Sequence, residues 1–341
     1  MTGSNHPAIS VVIPAYRCRD SIGHVLAALD KQTLPSNEII VVDDCSPDGL
    51  EQAIAPYRER IVYLKNQSNM GLSKTYNRGL RAAKGDFVLT LHSDCLLAPD
   101  YIALVWETLS SNSDVAAVTG QYVFHDFQDM TLSDQLFSVL NLLPVNEGIH
   151  EPIEEIAFIE GKADLFRRQE LEAIGFFDEH LVLTAEDQDL SAKFRLKGFR
   201  FLQNNSAHFH AKYNGTQDSL WKVLRKQMSY AQGQMYVLLK YRAGAVRATT
   251  RNRNMRAFHR LSQVLVTACA LGLVSVAPIW PSAMTMAWAL VAIRSAYYFA
   301  IAAPMRMPAR LIAVPAGLAA DALYTWGLLR GLVLFVLKGA V

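Results

Sequence analysis

Twenty consecutive residues, Leu261–Trp280, contain no Asp, Glu, Lys or Arg. An uncharged apolar stretch of that length is enough to cross a bilayer as a helix. The bias continues downstream. Ala283–Ala303 is interrupted only by Arg294, and Leu311–Leu337 only by Asp321 and Arg330. Ahead of these stretches lie Lys240, Arg242, Arg247, Arg251, Arg253, Arg256 and Arg260, with no acid between them. A basic block before an apolar region predicts a cytoplasmic membrane surface. The link Pro278–Ser282 has no Lys or Arg, whereas the next link carries Arg306 and Arg310. Two or three spanning helices are therefore expected, with residues 1–260 cytoplasmic. The charges of the third stretch also suit an interfacial or bundle-buried helix. Charged residues in a span must face protein, water or headgroups. For Arg294, Asp321 and Arg330 this means either helix–helix pairing or contact with a lipid phosphate. Nucleic acid is the other use of a basic block, but no nucleic-acid motif accompanies this one.

The first 240 residues read as an ordinary globular domain. The overall 51% hydrophobic content and mean hydropathy of +0.12 reflect the tail. Short apolar runs alternate with helical patterns. Ile9–Pro14, Glu38–Val42, Ile61–Leu64, Phe87–Leu91 and Val115–Val118 read as strands. Asp20–Lys31, Leu50–Tyr57, Ser73–Ala83 and Pro99–Leu109 read as helices. That alternation predicts βαβ units and a mostly parallel sheet with helices on both faces. Cys18, Cys45, Cys95 and Cys269 have neither metal-ligand nor redox spacing, so free thiols are expected. The start, MTGSNHPA, has no charged-then-apolar export pattern, and the globular part is expected to stay inside the cell.

Right-handed crossovers put the carboxyl ends of parallel strands on one edge, where open α/β sheets bind ligands. Here that edge collects Tyr16, Asp43, Asp44, Ser46 and Asp94. Phe87–Cys95, FVLTLHSDC, is the sharpest case, an apolar run ending in a polar tip. A carboxylate at Asp94 can hold a divalent cation, and the cation a diphosphate. A plain strand followed by a solvated loop would leave the same pattern.

Four segments occur in a recognisable order: Ser10–Tyr16 (SVVIPAY), Val41–Gly49 (VVDDCSPDG), Asn69–Gly71 with Asn77-Arg78-Gly79, and Lys84–Asp94 (KGDFVLTLHSD). In this the chain resembles the family 2 glycosyltransferases, which have a GT-A fold, over about residues 8 to 240. The resemblance implies that Pro14, Ala15 and Tyr16 line a nucleobase and ribose pocket. It implies that Asp43 accepts a hydrogen bond from the base while Asp44 supports the loop. Asp94 would be the metal-binding carboxylate of the family's Asp-x-Asp motif, with His92 and Ser93 beside it. This chain departs from the motif at His92, where the first Asp is expected. Imidazole can serve a ribose hydroxyl or a metal, or simply pack at the strand end.

Further along, Glu160-Gly161-Lys162-Ala163, Leu165-Phe166-Arg167-Arg168, Ile174–Glu179 and Thr184-Ala185-Glu186-Asp187 continue the resemblance, with Gly161 under the sugar. A sugar hydroxyl is a poor nucleophile, so a carboxylate must take its proton as it attacks the anomeric carbon. Asp187 is the expected base, with Glu186 orienting the acceptor or a neighbouring group. Helix N-terminal acids favoured by the macrodipole are the plain alternative. His208 and His210 follow, either of them a candidate third metal ligand, with the resemblance slightly favouring His208. Glu147–Glu155 reads as an exposed acidic loop. Trp221–Gly233 resembles the basic interfacial helix of membrane-associated members. No Gln-x-x-Arg-Trp motif of processive synthases is found.

The expectation is a cytoplasmic GT-A domain over 1–240, a basic juxtamembrane segment over 241–260 and a membrane domain over 261–341, in a multi-pass protein of the cell membrane. Its expected partners are a nucleoside-diphosphate sugar, Mg2+ or Mn2+, and a membrane lipid or lipid-linked acceptor, with no nucleic acid. The expected reaction is inverting transfer of one sugar. A processive polysaccharide synthase and a non-catalytic sugar-nucleotide binder are the alternatives.

Overall fold

The computed structural model describes residues 7–123, 130–142, 152–156, 158–159, 161–181, 184–211, 219–241 and 253–337. It divides into two units: residues 1–123, 148–214 and 243–247 form one, and 124–147, 215–242 and 248–341 the other. The second takes in two stretches that the sequence reading assigned to the catalytic domain.

The first unit begins β1 (Ile9–Ala15), α1 (Arg19–Leu29), β2 (Glu38–Asp43), α2 (Leu50–Ile54), β3 (Val62–Lys65), α3 (Leu72–Ala82) and β4 (Phe87–Leu91). It continues with β5 (Cys95–Leu97), α4 (Tyr101–Ser110), β6 (Val115–Tyr122), β7 (Ile153–Ile156), β8 (Ala163–Arg167), α6 (Arg168–Ala173), α7 (Glu186–Leu196) and β9 (Arg200–Ala211). Between β6 and β7 the chain supplies α5 (Leu132–Leu140) to the second unit. The nine strands form one sheet in the order β3-β2-β1-β4-β8-β6-β9-β5, with β7 paired to β9. β1, β2, β3 and β4 run parallel, while β8 is antiparallel to β4 and β6. This is the mixed, mostly parallel GT-A sheet with helices on both faces.

Alternation along each strand feeds two cores. Ile9, Val11, Ile13, Leu89 and Leu91 pack with Ile22, Val25 and Leu26 of α1 on one face. Val12, Ile40, Val42 and Val88 pack with Tyr76 and Leu80 of α3 on the other. Burial of each such side chain contributes about 1.5–3 kcal/mol. α3 lies so close to the sheet that a Cβ at Gly79 would sit 2.4 Å from a Val12 methyl and 3.0 Å from one of Val42. β1 continues through Pro14, because beyond Val12 its ladder runs only to β2. The acidic stretch around Glu154 is partly a strand: β7 pairs Ile153–Ile156 with Phe201–Asn204 of β9.

The second unit comprises α5, α8 (Leu220–Tyr241), α9 (Arg253–Val276), α10 (Ser282–Ile301) and α11 (Ala309–Leu337). Thr131 caps α5 by accepting from the Asp134 N–H at 3.2 Å. His259–Val276, Ser282–Ile301 and Ala309–Leu337 are long and apolar enough to cross a membrane. α11 buries a stripe of small residues, including Ala313, Ala316, Gly317 and Ala320, and then Gly327 and Gly331. A Cβ at Gly327 would meet the Met228 carbonyl oxygen of α8 at 2.3 Å, so glycine lets the two helix backbones touch. Arg294 and Asp321, side chains 4% and 5% exposed, form a bidentate pair with Nε–Oδ2 at 2.7 Å and Nη2–Oδ1 at 2.9 Å. Nη1 of Arg294 also donates to Ser262 at 2.8 Å, and the Tyr298 hydroxyl donates to Asp321. Of the two readings for these charges, helix–helix pairing is what Arg294 and Asp321 adopt, whereas Arg330 is exposed.

Candidate active site

The loops at the carboxyl ends of β1 and β2 are laced together. Arg17 N–H donates to Ser46 Oγ at 2.7 Å, Arg19 N–H to Asp48 Oδ2 at 2.9 Å, and Asp44 N–H to the Ala15 carbonyl at 2.9 Å. Arg17 and Cys45 take left-handed φ values of 52° and 58°, and Ala185, just before α7, takes 70°. Such conformations cost a non-glycine residue about 1 kcal/mol or more, and persist where the surroundings over-determine them. Tyr16 is left 42% exposed at this edge, with Arg17 over its ring. Pro14 and Ala15 are buried beneath it in β1.

Asp43 and Asp44 are 1% and 4% exposed. Asp43 Oδ2 accepts from the Tyr63 hydroxyl at 2.6 Å and Oδ1 from the Ser46 N–H at 2.7 Å. Burial, and then the Asp43 carboxylate, hold Tyr63 well above the ordinary phenol range, so it remains a donor. Asp44 accepts from Asn66 Nδ2 at 2.8 Å, Met70 N–H at 2.7 Å and Gly71 N–H at 3.0 Å, and so fixes the turn that opens α3. Tyr63 is a residue the sequence reading passed over, because only the β2–β3 ladder brings it to Asp43.

Beyond β4 the chain turns at His92–Cys95. His92 N–H donates to the Lys162 carbonyl at 2.8 Å, and Cys95 N–H to the His92 carbonyl at 3.1 Å. Ser93 is tied to α1, its carbonyl accepting from Ser21 Oγ at 2.7 Å. Asp94 is half-buried, with its Oδ1 3.8 Å from Cys95 Sγ. All four cysteines are free. Burial pushes Cys18 up to about 12 and Cys95 well above the thiol range, which keeps both protonated.

Tyr76, a second residue without a sequence signal of its own, joins the two halves of the edge. Its ring stacks on Phe177 at 5.0 Å and on His92 at 6.2 Å. Its hydroxyl donates to the Gly161 carbonyl at 3.2 Å. That hydroxyl is held far above the ordinary phenol range by burial, then by the negative charges of Asp164, Glu186 and Asp94. Tyr76 thus links the turn that carries Asp94 to the Gly161 loop. Gly161, at φ 70°, has its Cβ direction 3.6 Å from the Asp187 Cβ. Asn77 pins the turn before α7: its Oδ1 accepts from the Phe177 N–H at 3.0 Å and its Nδ2 donates to the Phe177 carbonyl at 2.9 Å.

The acids of α7 differ in setting. Asp189 is fully buried and pairs with Lys193 at 3.2 Å, whereas Glu186 and Asp187 are half-exposed at the helix start. His210 pairs in register with Leu96, two residues past Asp94, and His208 lies further along with its carbonyl bonded to the Ala98 N–H. Of the two histidines His210 is therefore nearer the turn. Among the described residues no three His, Cys, Asp or Glu side chains assemble into a metal cage. A hard cation that keeps its waters and takes oxygens from a diphosphate needs only one or two carboxylates. The carboxylate of Asp94 fits that kind of ion. A separate cavity of about 230 Å3 is lined by Glu155, Ile156, Arg195 and Gly198–Phe201, away from these groups.

With this geometry in view, the sequence description "Glycosyl transferase family 2" matches residues 10–175. Over those residues the chain is similar to the family 2 glycosyltransferases. It is 24% identical over 234 residues to the poly-beta-1,6-N-acetyl-D-glucosamine synthase of Staphylococcus aureus (strain MSSA476), covering 68% of this chain and 56% of that protein. The chain spans about half the length of the curated relatives it matches. Among solved structures, a mannosyltransferase from Pyrobaculum calidifontis in complex with GDP-Man and Mn2+ superposes with a TM-score of 0.56 at 20% identity, over 98% of this chain and 89% of that one. GalNAc-T7 with UDP, GalNAc and Mn2+ gives 0.50 at 17% identity, over 68% and 51%. Both likenesses establish the fold, which is GT-A.

Proposed function

We propose that this chain is a family 2 glycosyltransferase that moves one sugar from a nucleoside-diphosphate sugar to a membrane-associated acceptor, with inversion at the anomeric carbon. The nucleobase and ribose lie against Pro14, Ala15 and Tyr16, and the base donates a hydrogen bond to Asp43. Asp94 would hold Mg2+ or Mn2+ when the donor is bound, with His92, Ser93 and His210 or His208 as the neighbouring candidate groups. When bound, that ion offsets the negative charge developing on the leaving diphosphate. Gly161 lies under the sugar. Asp187 takes the proton of the acceptor hydroxyl as it attacks, and Glu186 orients the acceptor. The helical unit sits in the cell membrane as a multi-pass anchor, with the sheet unit on the cytoplasmic side.

The observation carrying this reading is Tyr76: its ring stacks on His92, in the turn that carries Asp94, and its hydroxyl donates to Gly161, whose Cβ direction lies 3.6 Å from the Asp187 Cβ at the start of α7, beside Glu186. Two acids 92 positions apart in sequence then serve one donor–acceptor pair. Asp187→Asn tests it: donor binding is expected to persist while transfer falls about 10²–10⁴-fold. Full transfer in that variant removes the proposed base. Asp94→Ala is expected to abolish Mn2+-dependent donor binding, measured by calorimetry with UDP- and GDP-sugars, and unchanged affinity removes the metal site. Polymer synthesis is the second reading, supported by the likeness to poly-beta-1,6-N-acetyl-D-glucosamine synthase. Products longer than one added sugar per acceptor would select it.

A further inference from the structure

The two arginine clusters of the helical unit, Arg294 buried and Arg260 half-buried, are compensated differently. Arg294 meets the carboxylate of Asp321 through two donors. Arg260 meets only neutral groups. Its Nη1 donates to Gln227 Oε1 at 2.9 Å and Gln263 Oε1 at 3.1 Å, its Nη2 donates to Asn141 Oδ1 at 2.7 Å, and its guanidinium carbon lies 4.7 Å from the centre of the Tyr324 ring. No Asp or Glu pairs with it among the described residues. A guanidinium has five N–H donors, and these contacts leave Nε–H and one Nη2 hydrogen for another acceptor. Gln263, fully buried, also keeps its Nε2 without an acceptor at bonding distance. The unit as a whole is cationic: its described residues hold eleven Lys and Arg against two acids, Asp134 and Asp321.

Arg260 is the second residue of the apolar stretch His259–Val276. Arginines at the ends of spans reach headgroup level, and a planar fork matches phosphate oxygens better than it matches amides. Side chains from α5's end, α8, α9 and α11 hold this fork in one orientation, which lowers the ordering cost of binding.

We propose that Arg260 is the anchor of a binding site for the phosphate of a membrane lipid, with the remaining guanidinium donors on the phosphate oxygens. The proposal rests on the reading that the helical unit lies in a bilayer, and not on the identity of the donor or the base.

The test uses the full chain in detergent micelles, doped with phosphatidylglycerol, with diacylglycerol of the same acyl chains, or with inorganic phosphate, and counts retained ligand by native mass spectrometry. The wild type is expected to retain one phosphatidylglycerol in preference to diacylglycerol. Arg260→Gln is expected to weaken retention by about tenfold or more, with Arg260→Lys intermediate because it keeps charge but loses the fork. Arg330→Gln, which removes an exposed cation of α11, is expected to change nothing. Equal retention by wild type and Arg260→Gln overturns the site, as does an equal loss in Arg330→Gln, which would indicate diffuse attraction. Retention of inorganic phosphate as tight as that of the lipid overturns the lipid assignment. If Arg260→Gln is misfolded by circular dichroism, Arg260→Lys alone decides, and wild-type retention in that variant overturns the proposal. A chain that stays dispersed without detergent removes the membrane reading itself, a result distinct from all of these.

Discussion

The sheet unit and the helical unit bury charge of opposite sign, and each solvates part of it with neutral groups. In the sheet unit Asp43 and Asp44 are held by a phenol, an amide and backbone N–H groups. In the helical unit Arg260 is held by three amide oxygens and a ring. Neutral partners lower the cost of burying an ion without cancelling its charge. One unit therefore keeps a negative edge suited to N–H donors and cations, and the other a positive interior suited to anions. Arg294–Asp321 is the counter-example, where charge is cancelled and the outcome is packing.

The largest test of this contrast is Asp321→Asn, which gives Arg294 the neutral setting of Arg260. Breaking a buried pair at one partner costs about 3–5 kcal/mol, so the melting temperature of the full chain in detergent is expected to fall sharply. A melt within a degree or two of wild type would mean that Ser262 and Tyr298 suffice, and the contrast would dissolve. Next comes Tyr63→Phe, which removes a neutral donor from Asp43. It is expected to weaken nucleoside-diphosphate binding about tenfold, the equivalent of one lost charge-assisted hydrogen bond, while kcat at saturating donor stays near wild type. Loss of kcat with unchanged affinity would detach Asp43 from the nucleotide.

Gly79→Ala probes the sheet unit without touching charge. The added methyl must displace Val12, at an expected cost of about 1–3 kcal/mol in urea unfolding. A neutral result would mean that α3 can lift from the sheet. The smallest effect is expected at Glu179, an acid that does have a cation. The Asn77 amide and the Arg81 guanidinium hold its carboxyl below the ordinary glutamate range, against a smaller burial penalty. A lowered carboxylate contributes stability above its unfolded value and loses it as pH falls through the lowered one. Glu179→Gln is thus expected to flatten the acid limb of stability against pH, and an unchanged limb would show that this acid plays no part in it.

Much of the sheet unit was legible in the chain. The runs ISVVIP, EIIVV and FVLTL are apolar enough to be buried strands wherever they occur, and their polar ends follow. β7 was not legible, because Ile153–Ile156 carries two glutamates and becomes a strand only by pairing with β9. Tyr63 and Tyr76 were silent for the same reason: a tyrosine in a strand or helix reads as core until the group its hydroxyl meets is known. The amphipathic patterns of α5 and α8 specified a buried face but not its partner. The apolar helices claimed both, through contacts such as Gly327 against Met228 that no local pattern encodes.

Asn77 meets a turn 100 residues further along the chain, and Tyr76 meets Gly161, 85 residues on. During synthesis β1 to β4 and α3 are complete while those partners have yet to be made. An amide and a phenol on the inner face of α3 must wait, wetted, until the second half arrives to cover them. A chain that stops short of residue 161 would thus carry α3 with its inner amide and phenol lacking the partners that cover them in the complete sheet unit.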